Sequence, residues 1–302
     1  LPDEPLIAAE EALLALDSND VDAAARLISE AHVLERDSSV IDYVKGVVAA
    51  RRGDMNEAKR LFDNVLAVDP NHVRARLNRC TVLMVEQDHH TALDDVQHLL
   101  EAHPNLDLAR LRRGEIMMSL GEWEEAESNF RDVLSRRGKN PQALIQFAAS
   151  LIAQDRLTEA EQPLNEAIKL DGDSSEGWYQ RGLLYESFGQ LKGALSDFET
   201  AAKRDRHHMN ALLRIAAIHH TSEEWDAAEA AWRNVLDVEP ENRIARRRIQ
   251  EAIDGQSATK KATILSSNLG ATSVELETVV TEEVELESVV EIEVPVAEEI
   301  EV

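Results

Sequence analysis

Three adjacent histidine pairs, His89-His90, His207-His208 and His219-His220, are the residues whose type best suits chemistry, and that chemistry would be metal ligation. Their spacing argues against it. Neighbouring side chains on a helix point about 100 degrees apart, and His208 and His219 would stand about 16 Å apart along a helical rise. The single cysteine, Cys80, occupies a position reserved for small side chains and reads as a buried small hydrophobe rather than a nucleophile. No glycine-rich phosphate loop, Cys-x-x-Cys pair or His-Glu-x-x-His helix occurs, and the scattered carboxylates read as solvated faces. The expectation is a non-catalytic chain with no metal and no cofactor.

What organises the chain is a period of 34 residues. One alanine recurs in register seven times, as Ala24, Ala58, Ala92, Ala126, Ala160, Ala194 and Ala228. Four residues after each comes a large apolar side chain: Ile28, Phe62, Val96, Phe130, Leu164, Phe198 and Trp232. Three further on stands Ala, Val or Leu, so the three positions share one helical stripe. Twelve residues before each alanine lies a second small position, Ala12, Gly46, Cys80, Gly114, Ala148, Gly182 and Ala216, on a preceding helix. Two helices approach closely only where the facing side chains are small, which makes these positions their crossing point. The turn between them is written Gly53-Asp54, Gly121-Glu122 and Gly189-Gln190 in the even units, with glycine suited to a helix end of positive φ.

These residues resemble the tetratricopeptide repeat, with its small residue at position 8, Ala at 20, an aromatic at 24 and Pro near 32, the last matched by Pro70, Pro104 and Pro240. The resemblance implies an all-α, right-handed α-solenoid of seven helix-turn-helix repeats over residues 1–255. Repeats start near 5, 39, 73, 107, 141, 175 and 209. A capping helix is expected over 243–254, with Gly255 as its stop, and an acidic, largely disordered tail over 256–302. Four copies depart from the family's aliphatic position 7 with Lys45, Arg79, Arg113 and Arg181. Their stems are expected to pack along the helix seam while the charges reach solvent or a neighbouring carboxylate. Pro163 falls inside a second helix, and a kink is expected there. The first repeat is the most degenerate, with Glu11 and Ala15 at normally bulky apolar positions. Asp54 with Glu57, and Asn140 before Pro141, read as helix starts.

In the family the first helix of each unit lines the concave side, so the resemblance places a binding groove there. Position 5 supplies an apolar row that includes Tyr43, Leu77, Leu111, Ile145, Tyr179 and Leu213. Position 6 supplies donors, among them Asn78, Arg112, Gln146, Gln180 and Arg214, and Arg74 adds a further cation. Such rows suit the carbonyls and side chains of an extended peptide. The Lys, Asn and Arg set that clamps chaperone-tail carboxylates in some members is incomplete, because Tyr43, Val47 and Leu108 stand where it needs Lys, Asn and Lys.

The formal net charge of -26 disfavours nucleic acid and anionic membrane surfaces. No apolar run reaches spanning length, and one cysteine fits a reducing compartment, so a cytoplasmic location is expected. From Gln256 the sequence becomes a Ser/Thr/Lys linker and then Val274-Glu-Leu-Glu-Thr-Val-Val and Val284-Glu-Leu-Glu-Ser-Val-Val, alternating as a strand does. Its alternation complements a surface of arginines and apolar rungs, so occupation of the groove by the tail is a further expectation. The function expected is a scaffold or adaptor for protein or peptide partners. Self-association into a structural scaffold, or service as the regulatory subunit of a larger enzyme complex, are the alternatives.

Overall fold

The computed structural model describes residues 4–34 and 39–271. Among them every regular element is helical: α1 Glu4–Asp17, α2 Val21–Leu34, α3 Ser39–Arg51, α4 Met55–Val68, α5 Val73–Val85, α6 His89–Ala102, α7 Asp107–Leu120, α8 Trp123–Arg137, α9 Pro141–Ala153, α10 Leu157–Leu170, α11 Ser175–Ser187, α12 Leu191–Arg204, α13 Met209–Thr221, α14 Trp225–Val238 and α15 Arg243–Ala271. The odd helices up to α13 are the first helices of seven repeats and the even ones the second. Among the described residues, packing separates those up to Ile253 from those from Asp254 on.

The seven recurring alanines have no accessible surface. Opposite the next stripe position, glycine pairs with phenylalanine three times: Gly46 with Phe62, Gly114 with Phe130 and Gly182 with Phe198. Each ring lies against the glycine backbone, leaving no space for a β-carbon. Where the small residue is Ala12, Cys80 or Ala148, the partner shrinks to Ile28, Val96 or Leu164. The volumes of the two facing positions thus complement each other from repeat to repeat. Ala216 facing Trp232 is the exception.

Four second- and first-helix starts are capped by short polar side chains, two of them, at Asp54 and Asn140, as the sequence indicates. Asp20, Asp54 and Asp88 accept from the backbone N–H of Ala23, Glu57 and Thr91 at 2.8, 3.1 and 3.2 Å. Asn140 accepts from Ala143 at 3.0 Å, with Pro141 in the first turn. The turns hold a regularity that the glycines alone did not reveal. Position 15 of every repeat has positive φ: Asn19, Gly53, Gln87, Gly121, Asp155, Gly189 and Glu223. In the odd repeats a side-chain-bearing residue bears the cost of that conformation. Gln87→Gly is therefore expected to raise stability by roughly 0.5–1 kcal/mol, the left-handed penalty less the added freedom of the unfolded chain. A urea melt checks this, and a lowered midpoint would contradict it.

Pro163 is carried inside α10, one helix from Leu157 to Leu170 whose stripe Ala160, Leu164 and Ala167 is buried. Packing of that stripe offsets the lost backbone bond. One expectation needs correction: Gly255 does not end the last helix, which runs on to Ala271. A glycine in a helix interior costs only about 1 kcal/mol, and the Ala and Lys residues that follow favour continuation. Linker residues 256–271 are therefore helical, while the expectations for the tail at 272–302 lie outside the described residues.

The direction of bending follows from which helices meet. Consecutive first helices touch directly, α1 with α3, α3 with α5, α5 with α7, α7 with α9 and α9 with α11, and no two consecutive second helices approach comparably. A stack whose first helices crowd while its second helices splay curves with the first helices inside. That inner face carries the candidate site.

Candidate functional site

Two of the four position 7 cations are engaged within the stack. Arg79 grips Asp95 through Nε and Nη2 at 2.8 and 2.6 Å, and its Nη1 donates to Asp63 at 2.6 Å. Arg76 donates to the same Asp95 at 2.7 Å. One hundred and two residues on, Arg181 repeats the arrangement with Asp197 at 2.7 and 2.9 Å and Asn165 at 2.8 Å, its guanidinium lying over Trp178 and Tyr185. Asp95 and Asp197 are buried, and hydrogen bonding to these carboxylates raises the pKa of both arginines. Each clamp ties a first helix to its own second helix and to the second helix before it. Asp95 and Asp197 are the neighbouring carboxylates expected for position 7, though position 7 alone does not single them out. A spacing of 16 from a basic position 7 to an acidic position 23 was the available signal.

Position 5 does not supply the apolar row expected of it. Tyr43, Leu111 and Ile145 are buried in the core, while Leu77, Tyr179 and Leu213 are half-buried. The physical reason is visible at the tyrosines. Tyr43 packs between Phe62 and His72 at 6.2 and 5.2 Å, and Tyr179 between Phe198 and His208 at 5.7 and 4.8 Å. His72 and His208 in turn cap the next first helices through Nδ1, accepting from Ala75 and Ala211 at 3.1 and 3.3 Å. Position 5 therefore locks one repeat to the next. His208 also faces Glu176 at 3.6 Å, and that contact raises its pKa.

Most of the expected donor ladder is already engaged. Asn78 donates to the Tyr43 hydroxyl at 3.2 Å, Arg112 to Glu115 at 2.6 Å and Gln180 to Glu176 at 2.7 Å, while Arg214 lies 3.4 Å from Glu186. Arg74 and Gln146 make no hydrogen bond or ion pair among the described residues, and Arg74 is exposed. The accessible apolar side chains lie instead at position 2, where Leu6, Val40 and Leu108 are exposed and Arg74 occupies the same position between the last two. Met84 and Met118 lie half-buried on the same face and Val85 exposed. Among the described residues the inner face thus offers Arg74, a cation without an ion pair, flanked by aliphatic side chains.

Burial pushes the Cys80 thiol up to about 12, which keeps it protonated and unreactive. Among the described residues no three His, Cys, Asp or Glu side chains group closely enough to hold a metal. No described helix is long and apolar enough to cross a membrane.

The tetratricopeptide-repeat profile matches residues 43–107, and the profile of the TT21 fifth ARM repeats domain matches residues 107–220. A TPR repeat-containing protein of Rhizobium etli is 32% identical over 106 residues, 35% of this chain and 52% of the relative. The human DnaJ homolog subfamily C member 3 is 23% identical over 226 residues, 59% of this chain and 45% of the relative. The chain spans about half the length of these curated relatives. Among solved structures, a tetratricopeptide repeat protein from Parabacteroides merdae superposes with a TM-score of 0.66 at 18% identity, covering 83% of this chain and 99% of that one. The APC/C hetero-tetramer Cut9-Hcn1 gives 0.68 at 16% identity, covering 83% and 49%. At these identities the likeness is one of fold.

Proposed function

Because the chain is a tetratricopeptide-repeat protein, a fold that serves as a scaffold for protein partners, we propose that it is a non-catalytic adaptor holding an extended peptide segment along its first-helix face. The observation that carries this reading is the position 2 row, with exposed Val40 and Leu108 on either side of unpaired Arg74. Successive packed helices stand about 10 Å apart, which three residues of an extended polyproline-II segment span at about 3.1 Å each, its threefold turn bringing side chains i and i+3 to the same side. The ligand matched to the row has an aliphatic residue, an acidic residue three later and a second aliphatic three after that. Its acidic side chain meets Arg74 and its aliphatic ones meet Val40 and Leu108.

A labelled heptapeptide of this pattern, Val-Glu-Leu-Glu-Thr-Val-Val, tests the reading by fluorescence anisotropy. Arg74→Glu and Leu108→Asp are each expected to weaken binding about tenfold or more, the loss of one charge-assisted contact or one apolar contact. Lys203→Glu, on a second helix, is expected to leave it unchanged. Equal binding by all variants, or a loss confined to Lys203→Glu, would overturn the proposal.

A further inference from the structure

Position 25 of one repeat meets position 7 of the next at three junctions. Asp63 accepts from Arg79 at 2.6 Å, Asn165 accepts from Arg181 at 2.8 Å, and Arg131 lies over the Phe147 ring, 5.6 Å from its centroid. In the first two the position 7 arginine also grips an aspartate at position 23, so one guanidinium bridges two second helices. The junction of the sixth and seventh repeats keeps only the acceptor. Glu199 stands at position 25, but position 7 is Ile215 and position 23 is Ala231. An isoleucine offers a carboxylate nothing, and Glu199 makes no hydrogen bond or ion pair among the described residues.

With the arginine and its aspartate both gone, a cavity of about 790 Å³ opens between α12 and α14 over α13. Leu212, Ile215 and Ala231 give it an apolar floor, and Glu199 and Asp237 bring carboxylates from its two walls. Where Lys45 and Leu61 occupy positions 7 and 23, the corresponding hollow measures about 370 Å³. Lys203 and Arg206 line the cavity toward the end of α12, which leaves the Glu199 end for an added positive group. Both walls are internal to the array, since six repeats precede α13 and α15 packs beyond α14.

We propose that this cavity receives an arginine side chain of a basic partner protein, its guanidinium on Glu199 as Arg79 and Arg181 serve Asp63 and Asn165 from within the chain. The methylene stem lies on Ile215 and Ala231, and a flat, weakly hydrated guanidinium suits such a floor better than an ammonium does. The net charge of -26 draws a basic partner and opposes a second copy of this acidic chain. The cavity lies between second helices and is independent of the peptide row on the first helices.

The test titrates the full chain, labelled at its methyl groups, with acetyl-Leu-Arg-Leu-amide and follows the Leu212 and Ile215 signals by NMR. Saturable shifts of both are expected. A peptide with citrulline, which keeps the shape of arginine without its charge, is expected to bind about fivefold more weakly or worse. Glu199→Gln, an exposed change that leaves the melting midpoint in place, is expected to weaken the arginine peptide by the same factor and to leave the citrulline peptide unaffected. Ile215→Arg with Ala231→Asp copies the sixth-repeat pair into the seventh and is expected to abolish binding read at Leu212. Unmoved methyl signals, or binding indifferent to both citrulline and Glu199→Gln, would overturn the proposal. So would concentration-dependent dimers by sedimentation that Glu199→Gln abolishes, since the arginine then comes from a second copy.

Discussion

Gly114→Ala is expected to destabilise the stack by about 1–3 kcal/mol, the typical cost of overfilling a packed core. A β-carbon built on Gly114 falls 2.4 Å from Cε1 of Phe130, inside any real contact distance, and the ring has no free volume into which to retreat because Phe130 is fully buried. The damage is not confined to one repeat. Each unit is stabilised by its neighbours, so spreading α7 from α8 also weakens the seams on either side. The volume rule supplies the control. Ala148 facing Leu164 shows that alanine is accommodated when the opposing side chain is a leucine, so Gly114→Ala with Phe130→Leu is expected to recover part of the loss. Chemical denaturation of the two single variants and the double measures this directly. Simple additivity would mean that the two positions do not face each other, and would refute the helix crossing.

The second large effect is expected at Asp95. This carboxylate is 1% exposed and accepts from both Arg76 and Arg79. Arginine cannot shed its charge, so Asp95→Ala leaves two guanidinium groups facing a buried methyl, at a cost of about 3–5 kcal/mol. Arg79 keeps only its contact to Asp63, on the preceding repeat. Asp95→Asn preserves shape and one acceptor and is expected to cost less. The second repeat shows how the same seam is built without the clamp, with Lys45 at position 7 and buried Leu61 at position 23. Asp95→Leu combined with Arg79→Lys is therefore expected to be more stable than Asp95→Ala. Thermal melts rank the variants, and an Asp95→Ala protein as stable as the parent would show that the buried pair contributes nothing.

Much of this architecture was legible in the sequence because it depends on residues whose role is steric and repeated. A small side chain at a helix crossing admits few substitutes, and seven in-register copies of Ala24 and its equivalents fix both helices and their partnership. The candidate site was less legible because inner-face residues divide between ligand and packing according to neighbours in the next repeat. Tyr43 is buried because His72 and Phe62 lie against it, and no feature of Tyr43 alone reveals that. Leu108 stood in the sequence only as the residue that spoils a lysine clamp, yet it proves one of the most accessible apolar side chains of the inner face. A local signal failed where helix continuity overrode it, as at Gly255. The left-handed turn residues Asn19, Gln87, Asp155 and Glu223 escaped notice because only glycine advertises that conformation.

A partner held along the first helices leaves the second helices untouched. Hydrogen–deuterium exchange of the full chain, with and without the heptapeptide, resolves this helix by helix. Added protection is expected in α3, α5 and α7, which carry Val40, Arg74 and Leu108, with α4, α6 and α8 unchanged. Protection concentrated in those second helices would place the ligand on the outer face and contradict the proposed function.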